Sequence, residues 1–392
     1  MDSWLSKLNT IAAKDTRLVA GLISGTSADS VDAAICSIKG AGIGHARVTL
    51  KAACSVNYPD KVRNMLQESL EHLSLQNIAE LDFMVARAFG DALRQVAEKA
   101  SIKVSDLDLI GSHGQTIYHH SRRDGALQTT FQIGDGDIIA KESGVFVFSD
   151  FRKGDIALGG EGAPLSAYAD AVLFGGVSGR AVLNLGGIAN ITVLSEQPEH
   201  IIGFDSGPAN APLDRLARII TGGEMSFDRD AEIAKKGSVN DKTLQELFIE
   251  DTFIKRPPPK STGFESYGDL FVERAIEIHG KADADLMRTL VEFSAAAIGD
   301  ALTTHISKKV KLKELILAGG GVHNPVLVAA IKERLKGVTV KVSDELGVPA
   351  DFREAVAFAV LANDTLMGHE TSLPSVTGAS RGALLGKLSL PG

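Results

Sequence analysis

A bound phosphate needs backbone N–H groups turned toward it with no side chain in the way, and turns of Gly, Ser and Thr supply them. Three glycine clusters in this chain stand directly behind apolar, strand-like runs. The first runs through Gly25, Thr26, Ser27, Ala28, Asp29 and Ser30 and continues by Val31 to Asp32, behind the run Leu18–Ile23. The second is Asn184, Leu185, Gly186, Gly187, Ile188, Ala189 and Asn190, behind Ala181–Leu183. The third is Gly319, Gly320, Gly321, Val322, His323 and Asn324, behind Glu314–Ala318. The first two read as hairpins with polar glycine turns, and the third as a strand passing into a helix from Pro325. Asp29 and Asp32 could hold Mg²⁺ directly or through water, because that ion keeps several waters and uses few carboxylates. Each cluster alone is equally a plain turn, since Asp, Gly and Ser are turn formers, and neither GxGxxG nor GxxxxGK[ST] is present. As one set they make two hairpins able to grip a polyphosphate and a glycine turn flat enough to admit a purine.

Four further polar groups stand at the ends of apolar runs. Ser112, His113, Gly114, Gln115 and Thr116 follow Leu107–Ile110, at a strand's carboxyl end, where α/β proteins place ligands. The alternative is a capped turn with His113 satisfied in the core. Asp150 and Arg152 flank Phe151 and are either a ligand clamp or a local ion pair. Asp205, in Gly203-Phe204-Asp205-Ser206-Gly207-Pro208, follows Ile201-Ile202 and precedes a helical stretch. It is a general base on a cleft floor or the cap of that helix. Lys260, in Lys260-Ser261-Thr262-Gly263 behind three prolines, is an exposed anion contact or a solvated turn.

The elements that must position these groups alternate, which makes the chain α/β. Helical periodicity covers 78–99, 210–220 and 282–306, and the segment 111–162 reads as rich in loops. The two hairpins, about 160 residues apart, point to an internal duplication. At 392 residues the chain exceeds what one core supports, so two lobes are expected with a ligand cleft between them. The expected division is 1–150 plus 352–392 for the N-terminal lobe and 151–351 for the C-terminal lobe. A hydrophobic fraction of 44% against 23% charged residues leaves ample apolar area for two cores. The net charge of -8 argues against a nucleic-acid partner; Lys235-Lys236 and Lys308-Lys309-Val310-Lys311 read as solvated helix ends. Cys36 and Cys54 lack metal or redox spacing and read as buried free thiols in a reducing compartment. With no signal-peptide pattern and no run long enough to span a membrane, the expected location is the cytoplasm.

Taken in order along the chain, these motifs resemble the anhydro-N-acetylmuramic acid kinases, from Gly21 to Gly386. Beyond the clusters above, Gln132-Ile133-Gly134, Gly159-Gly160-Glu161-Gly162-Ala163-Pro164-Leu165 and Glu354-Ala355-Val356-Ala357-Phe358-Ala359 carry the resemblance. It implies a two-lobed actin-like ATPase fold of the ribonuclease H-like type, with ATP and Mg²⁺ as cofactors. It also implies a homodimer acting on a small sugar in cell-wall peptidoglycan recycling, with no membrane partner. Carried over residue by residue, it makes Asp205 the catalytic base. Gly25 to Asp32, Asn184, Gly186, Gly187, Asn190, Gly319, Gly320, Gly321 and Asn324 become the ATP contacts, and Asp29 and Asp32 the metal ligands. His113, Gln115, Asp150, Arg152, Lys260 and Glu354 become the sugar contacts. The chain departs from the family pattern at Ala28, Ser30, Ala209 and Phe264-Glu265. Levoglucosan kinases share most of these motifs, so the 1,6-anhydro ring is better supported than the lactyl ether. The competing readings are an ordinary hexose kinase of the same superfamily and an actin-like or chaperone-like ATP switch.

Overall fold

The computed structural model describes residues 3–25, 27–68, 73–120, 128–306 and 310–392, without the side chain of Phe264. Thr26, Lys308 and Lys309 therefore lie outside the described residues. The chain forms two compact units, Met1–Gly176 with Glu196–His200 and Phe352–Gly392, and Val177–Ser195 with Ile201–Asp351.

Unit 1 opens with the short helix α1 (Trp4–Ala12), whose N-terminus is capped by Ser3 Oγ accepting from Ser6 N. The antiparallel meander β1 (Thr16–Ser24), β2 (Ser30–Lys39) and β3 (Arg47–Asn57) follows. Helices α2 (Asp60–Gln67) and α3 (Leu75–Lys99) come next. On α3, Leu81, Val85, Ala88, Phe89, Ala92 and Val96 recur at helical spacing and are buried. Each large one contributes about 1.5–3 kcal/mol by leaving water. The chain continues through β4 (Leu109–His120), β5 (Thr129–Ile133), α4 (Gly136–Ser143), β6 (Phe146–Ser149), α5 (Phe151–Ala157) and α6 (Ser166–Phe174).

Unit 2 opens with a second meander, β7 (Arg180–Leu185), β8 (Ile188–Val193) and β9 (Ile202–Pro208). It runs on through α7 (Asn210–Ile220), α8 (Asp241–Glu250), α9 (Phe264–Tyr267), α10 (Asp269–His279) and α11 (Ala284–Ala301). It ends in β10 (Glu314–Ala318), α12 (Pro325–Arg334) and β11 (Thr339–Val342). The chain then returns to unit 1 with α13 (Arg353–Leu366), α14 (Pro374–Thr377) and β12 (Lys387–Ser389).

The two sheets repeat one plan. In unit 1 the strand order is β12-β6-β4-β1-β2-β3, with β5 pairing β4; in unit 2 it is β11-β10-β7-β8-β9. In each, a parallel strand is added beside the first strand of the meander, β4 beside β1 and β10 beside β7. The duplication expected from the two hairpins is this shared plan.

Two expectations change. Residues 151–176 belong with unit 1 rather than with the second lobe. The reason is packing: α6 lies on α13, and its Asp170 takes a buried hydrogen bond of 2.6 Å from Arg353 Nη1. The segment 111–162 is also far more regular than a loop-rich stretch, because β4 runs on to His120 and pairs with β1, β5 and β6. Glycines set how closely α13 packs there. A Cβ on Gly21 would stand 1.8 Å from the Ala355 carbonyl oxygen, and one on Gly111 2.1 Å from that of Phe358. Only glycine admits the helix backbone to the sheet at this distance.

Candidate active site

The turn that follows β1 is held from below by β4. Gln115, only 2% exposed, donates from Nε2 to the carbonyls of Gly25 (3.2 Å) and Thr116 (3.1 Å), and its Oε1 accepts from Ser24 Oγ. Ala28 N donates to Gly25 O at 3.2 Å, and Ala28 takes a left-handed φ of 51°. Asp29 is exposed and receives the Ser27 hydroxyl at 2.8 Å, while its carbonyl accepts from Tyr58 N. Val31 is fully buried, and Asp32 is half-buried on β2 opposite Ile23. An exposed carboxylate on an open glycine turn fits a hydrated Mg²⁺ better than a dehydrated cage. Among the described residues there is no group of three or more His, Cys, Asp or Glu able to hold a metal.

His113 lies within β4, not beyond its end. Arg152 Nε donates to His113 Nε2 at 2.9 Å, so the ring is neutral and its Nδ1–H donates to the Gly114 carbonyl at 3.0 Å. Burial, with the Arg152 charge, holds the His113 pKa well below its ordinary value. Arg152 Nη1 also donates to Gly162 O at 2.7 Å. Burial lowers the Arg152 pKa to about 10 against the charge of Glu354, and the guanidinium stays cationic at neutral pH. Glu354 is exposed in the first turn of α13. Asp150 sits at φ 55° with Oδ2 paired to Lys153 and Lys387. Its Oδ1 is buried with no hydrogen-bond partner among the described residues, an acceptor available to a ligand hydroxyl or a water.

In unit 2 the turn that joins β7 to β8 is backed by α7. Ala209 N and Ala211 N donate to Gly187 O, and Asn210 N donates to Gly186 O, all near 3.0 Å. Asn210 Nδ2 adds a bond of 3.0 Å to Leu185 O. The start of α7 is thus satisfied by the turn, and its Ncap residue, Ala209, offers no side-chain bond. Gly319, at φ +80°, turns the chain after β10 close against Asn184 and Leu185. Asn324 proves to be a helix cap, its Oδ1 accepting from Val326 N and Leu327 N at the start of α12.

Asp205 is not a cap. It lies within β9, and both oxygens are held by other groups. Oδ1 accepts from Asn190 Nδ2 and Oδ2 from Thr262 N, each at 2.9 Å, with the Ser261 side chain as a further partner. Burial raises its pKa, and Asn190, Thr262, Ser261 and the Lys260 charge oppose the rise. The result is a half-buried carboxylate of fixed orientation, more basic than an exposed one. The sequence reading placed Asn190 with the phosphates and missed its bond to Asp205. The pairing of Asn190 with Asp205 beside a bulge, which creates that bond, leaves no mark in composition. Lys260, expected to be exposed, is 9% exposed and donates from Nζ to the carbonyls of Phe253 (3.2 Å) and Ile254 (3.0 Å).

A pocket of about 500 Å³ adjoins the third glycine turn. It is lined by Gly320, His323 and Asn324, by Asn210 and Asp214 of α7, and by Phe227 on the following loop, among others. Its size and its apolar and polar walls suit a nucleoside. Burial pushes the Asp214 carboxyl up to about 7, with Arg218 opposing and Asp228 adding. Asn210, Asp214 and Phe227 were not among the expected site residues; Asn210 and Asp214 lie four residues apart and so on one face of α7. Nothing local marks Phe227.

A sequence model of the family described as anhydro-N-acetylmuramic acid kinase matches residues 17–391. The chain is 36% identical to a curated anhydro-N-acetylmuramic acid kinase of Caldanaerobacter subterraneus subsp. tengcongensis, over 98% of this chain and 100% of that protein. It is also 36% identical to one of Bacillus cereus, over 95% of this chain and 99% of that protein. Among solved structures it is similar to component A of (R)-2-hydroxyglutaryl-CoA dehydratase from Acidaminococcus fermentans, at 14% identity over 89% of this chain and 99% of that chain, with a TM-score of 0.45.

Proposed function

The chain belongs to the anhydro-N-acetylmuramic acid kinase family, and from that premise we propose how its residues open and phosphorylate a 1,6-anhydro sugar. The enzyme is a sugar phosphotransferase, and its two sheets of one plan fit the actin-like ATPase fold. A 1,6-anhydro sugar has no free 6-hydroxyl, because O6 is bonded to C1. Ring opening therefore accompanies phosphorylation. Water attacks C1 as the C1–O6 bond breaks, and O6 forms its new bond to the γ-phosphorus of ATP as ADP leaves. Water's oxygen becomes the hydroxyl on C1, and its second proton goes to a base. The step is half of an inverting glycoside hydrolysis, with phosphorus in place of the general acid.

Asp205 is that base, and the observation that carries the assignment is its double anchorage by Asn190 and Thr262. Anchorage fixes the direction of the free lone pairs, and burial makes the carboxylate a better proton acceptor near neutral pH. The glycine turn at Gly25–Ser30 of unit 1 and that at Gly186–Gly187 of unit 2 are each suited to bind phosphate, and the pocket beside Gly320 takes the nucleoside. Mg²⁺ held at Asp29, with Asp32 near it, would neutralise charge on the phosphates. Asp150, Arg152 and Glu354 hold the sugar, the unpartnered Asp150 Oδ1 accepting from a hydroxyl, while His113, whose two ring nitrogens already bond Arg152 and the Gly114 carbonyl, orients Arg152. Gln115 supports the first turn that it already bonds.

Asp205→Asn tests the base. The amide keeps the shape and the bond from Thr262, so melting temperature and substrate affinity stay near wild type while turnover falls by about 10²- to 10⁴-fold. A variant that keeps more than about a tenth of wild-type turnover removes Asp205 from this role. In ¹⁸O water the label is expected at C1 and not in the 6-phosphate ester. Glucose outperforming the anhydro sugars in a coupled assay would overturn the ring-opening reading.

A further inference from the structure

Lys260 belongs to a chain of bonds that ends on Asp205. Its backbone carbonyl accepts from Asp205 N at 3.0 Å, and two residues on, Thr262 N donates to Asp205 Oδ2. Its ammonium bonds the Phe253 and Ile254 carbonyls and lies 4.6 Å from the centroid of the Phe253 ring. The amides of those same two residues donate to Asp251 Oδ1 at 2.8 and 3.1 Å. Asp251 Oδ2 in turn accepts from the buried hydroxyl of Tyr267 at 2.7 Å. Tyr267 is 2% exposed and packs against the rings of Phe253 and Phe271. The strand that carries Asp205 is thereby tied, through Lys260 and Asp251, to a buried aromatic cluster.

We propose that Lys260 is a positioning residue for Asp205 and not a substrate contact: its ammonium locks the segment bearing Ser261 and Thr262 onto the Phe253–Ile254 turn and provides the counter-charge to the Asp205 carboxylate. The inference rests on Asp205 being the base. A substrate-binding lysine would present its donors to a ligand, whereas two of these three are already spent on carbonyls in a half-apolar setting. The charged groups acting on this ammonium are Asp251, Asp205 and Arg256. Burial brings the Lys260 pKa down to about 8, with Asp251 and Asp205 opposing the fall and Arg256 adding to it. The ammonium is therefore present at neutral pH and lost just above it. While charged it favours ionised Asp205, so its removal moves the Asp205 pKa upward.

The full-length enzyme, assayed with ATP and the anhydro sugar across pH, tests the proposal. Lys260→Met keeps the apolar stem and removes the charge. It is expected to lower kcat by about 10- to 100-fold through misplacement of the base, with the sugar KM changed by no more than about twofold. The acid limb of kcat/KM should move to higher pH, and the basic limb near pH 8 should vanish. Asp251→Asn keeps the acceptor for the two amides and removes the charge that most supports the ammonium, so its basic limb should move to lower pH. That shift decides the matter alone if Lys260→Met does not fold. A lowered melting temperature with both limbs unmoved overturns the proposal, as does a sugar KM raised about tenfold or more at unchanged kcat. Asp205→Asn separates the two readings. Retained turnover in that variant removes the base and the brace together; lost turnover there with unmoved limbs in the Lys260 and Asp251 variants removes the brace alone.

Discussion

The two hairpin turns read alike in sequence and are supported differently. In unit 1 the turn at Gly25 is held from its ends, by Gln115, by Ser24 and by the Tyr58 amide on the Asp29 carbonyl. A Cβ added to Gly25 would meet nothing within 4 Å. In unit 2 the turn at Gly186 and Gly187 rests on a helix start, with three backbone amides and the Asn210 side chain donating into it. Gly319 closes against the same turn, so a Cβ there would stand 2.7 Å from Asn184 Oδ1. The second turn is a fixed, half-buried platform braced by its unit's helix, while the first is an open loop braced only at its ends. The amides at the start of α7 are consumed by the platform, so α7 is not an anion site despite its position after a glycine turn.

The contrast can be broken at three places. Gly319→Ala should do most damage, because it combines a left-handed φ with contact on Asn184 and Leu185. A loss of about 2–4 kcal/mol in chemical denaturation is expected, from overpacking and backbone strain together. An unchanged denaturation midpoint would mean that the platform yields, and would erase the distinction between the turns. Asn210→Ala removes one hydrogen bond to Leu185 O and leaves the backbone bonds of α7 in place. About 1 kcal/mol should be lost, with a modest weakening of ATP-analogue binding. Gly25→Val is the sharpest case, since its expected effect on stability is within about 0.5 kcal/mol. Calorimetric titration should nevertheless show ATP-analogue affinity largely gone, because the branched side chain fills the face turned to the ligand. Unchanged affinity in that well-folded variant would make the first turn a plain hairpin.

Local pattern was enough for much of the fold. The spacing of apolar residues predicted α7 over 210–220 as found, and it found α3 to within a few residues of its start. It read 282–306 as one helix, and the structure continues α11 there into a single turn of π-helix at Leu302–Ile306. The hairpins and the duplication followed from two glycine turns behind apolar runs. The pattern failed at β4, where Ser112, His113 and Gln115 look like a polar loop. They are strand residues; Arg152, Ser24 and Gly25 meet His113 and Gln115 from elsewhere in the chain, while the buried Ser112 Oγ has no hydrogen-bond partner among the described residues. Nothing within a window of ten residues reports such partners.

The sequence by itself determined which groups the protein has to work with: the glycine turns, the carboxylates of Asp29 and Asp205, and the elements that carry them. Those follow from steric limits and side-chain periods that act over a few residues. Tertiary structure decided which polar groups remain free for a ligand. Gln115, Asn324 and Lys260 looked like ligand contacts and direct their hydrogen bonds to the protein, while Asp150 keeps one oxygen unpartnered among the described residues. Asn190, read as a phosphate contact, donates to Asp205. Most buried polar groups are satisfied by partners that strand register and loop packing supply over long stretches of chain. The 54 residues of chain between Asp205 and Lys260, whose carbonyl receives the Asp205 amide, are one such stretch.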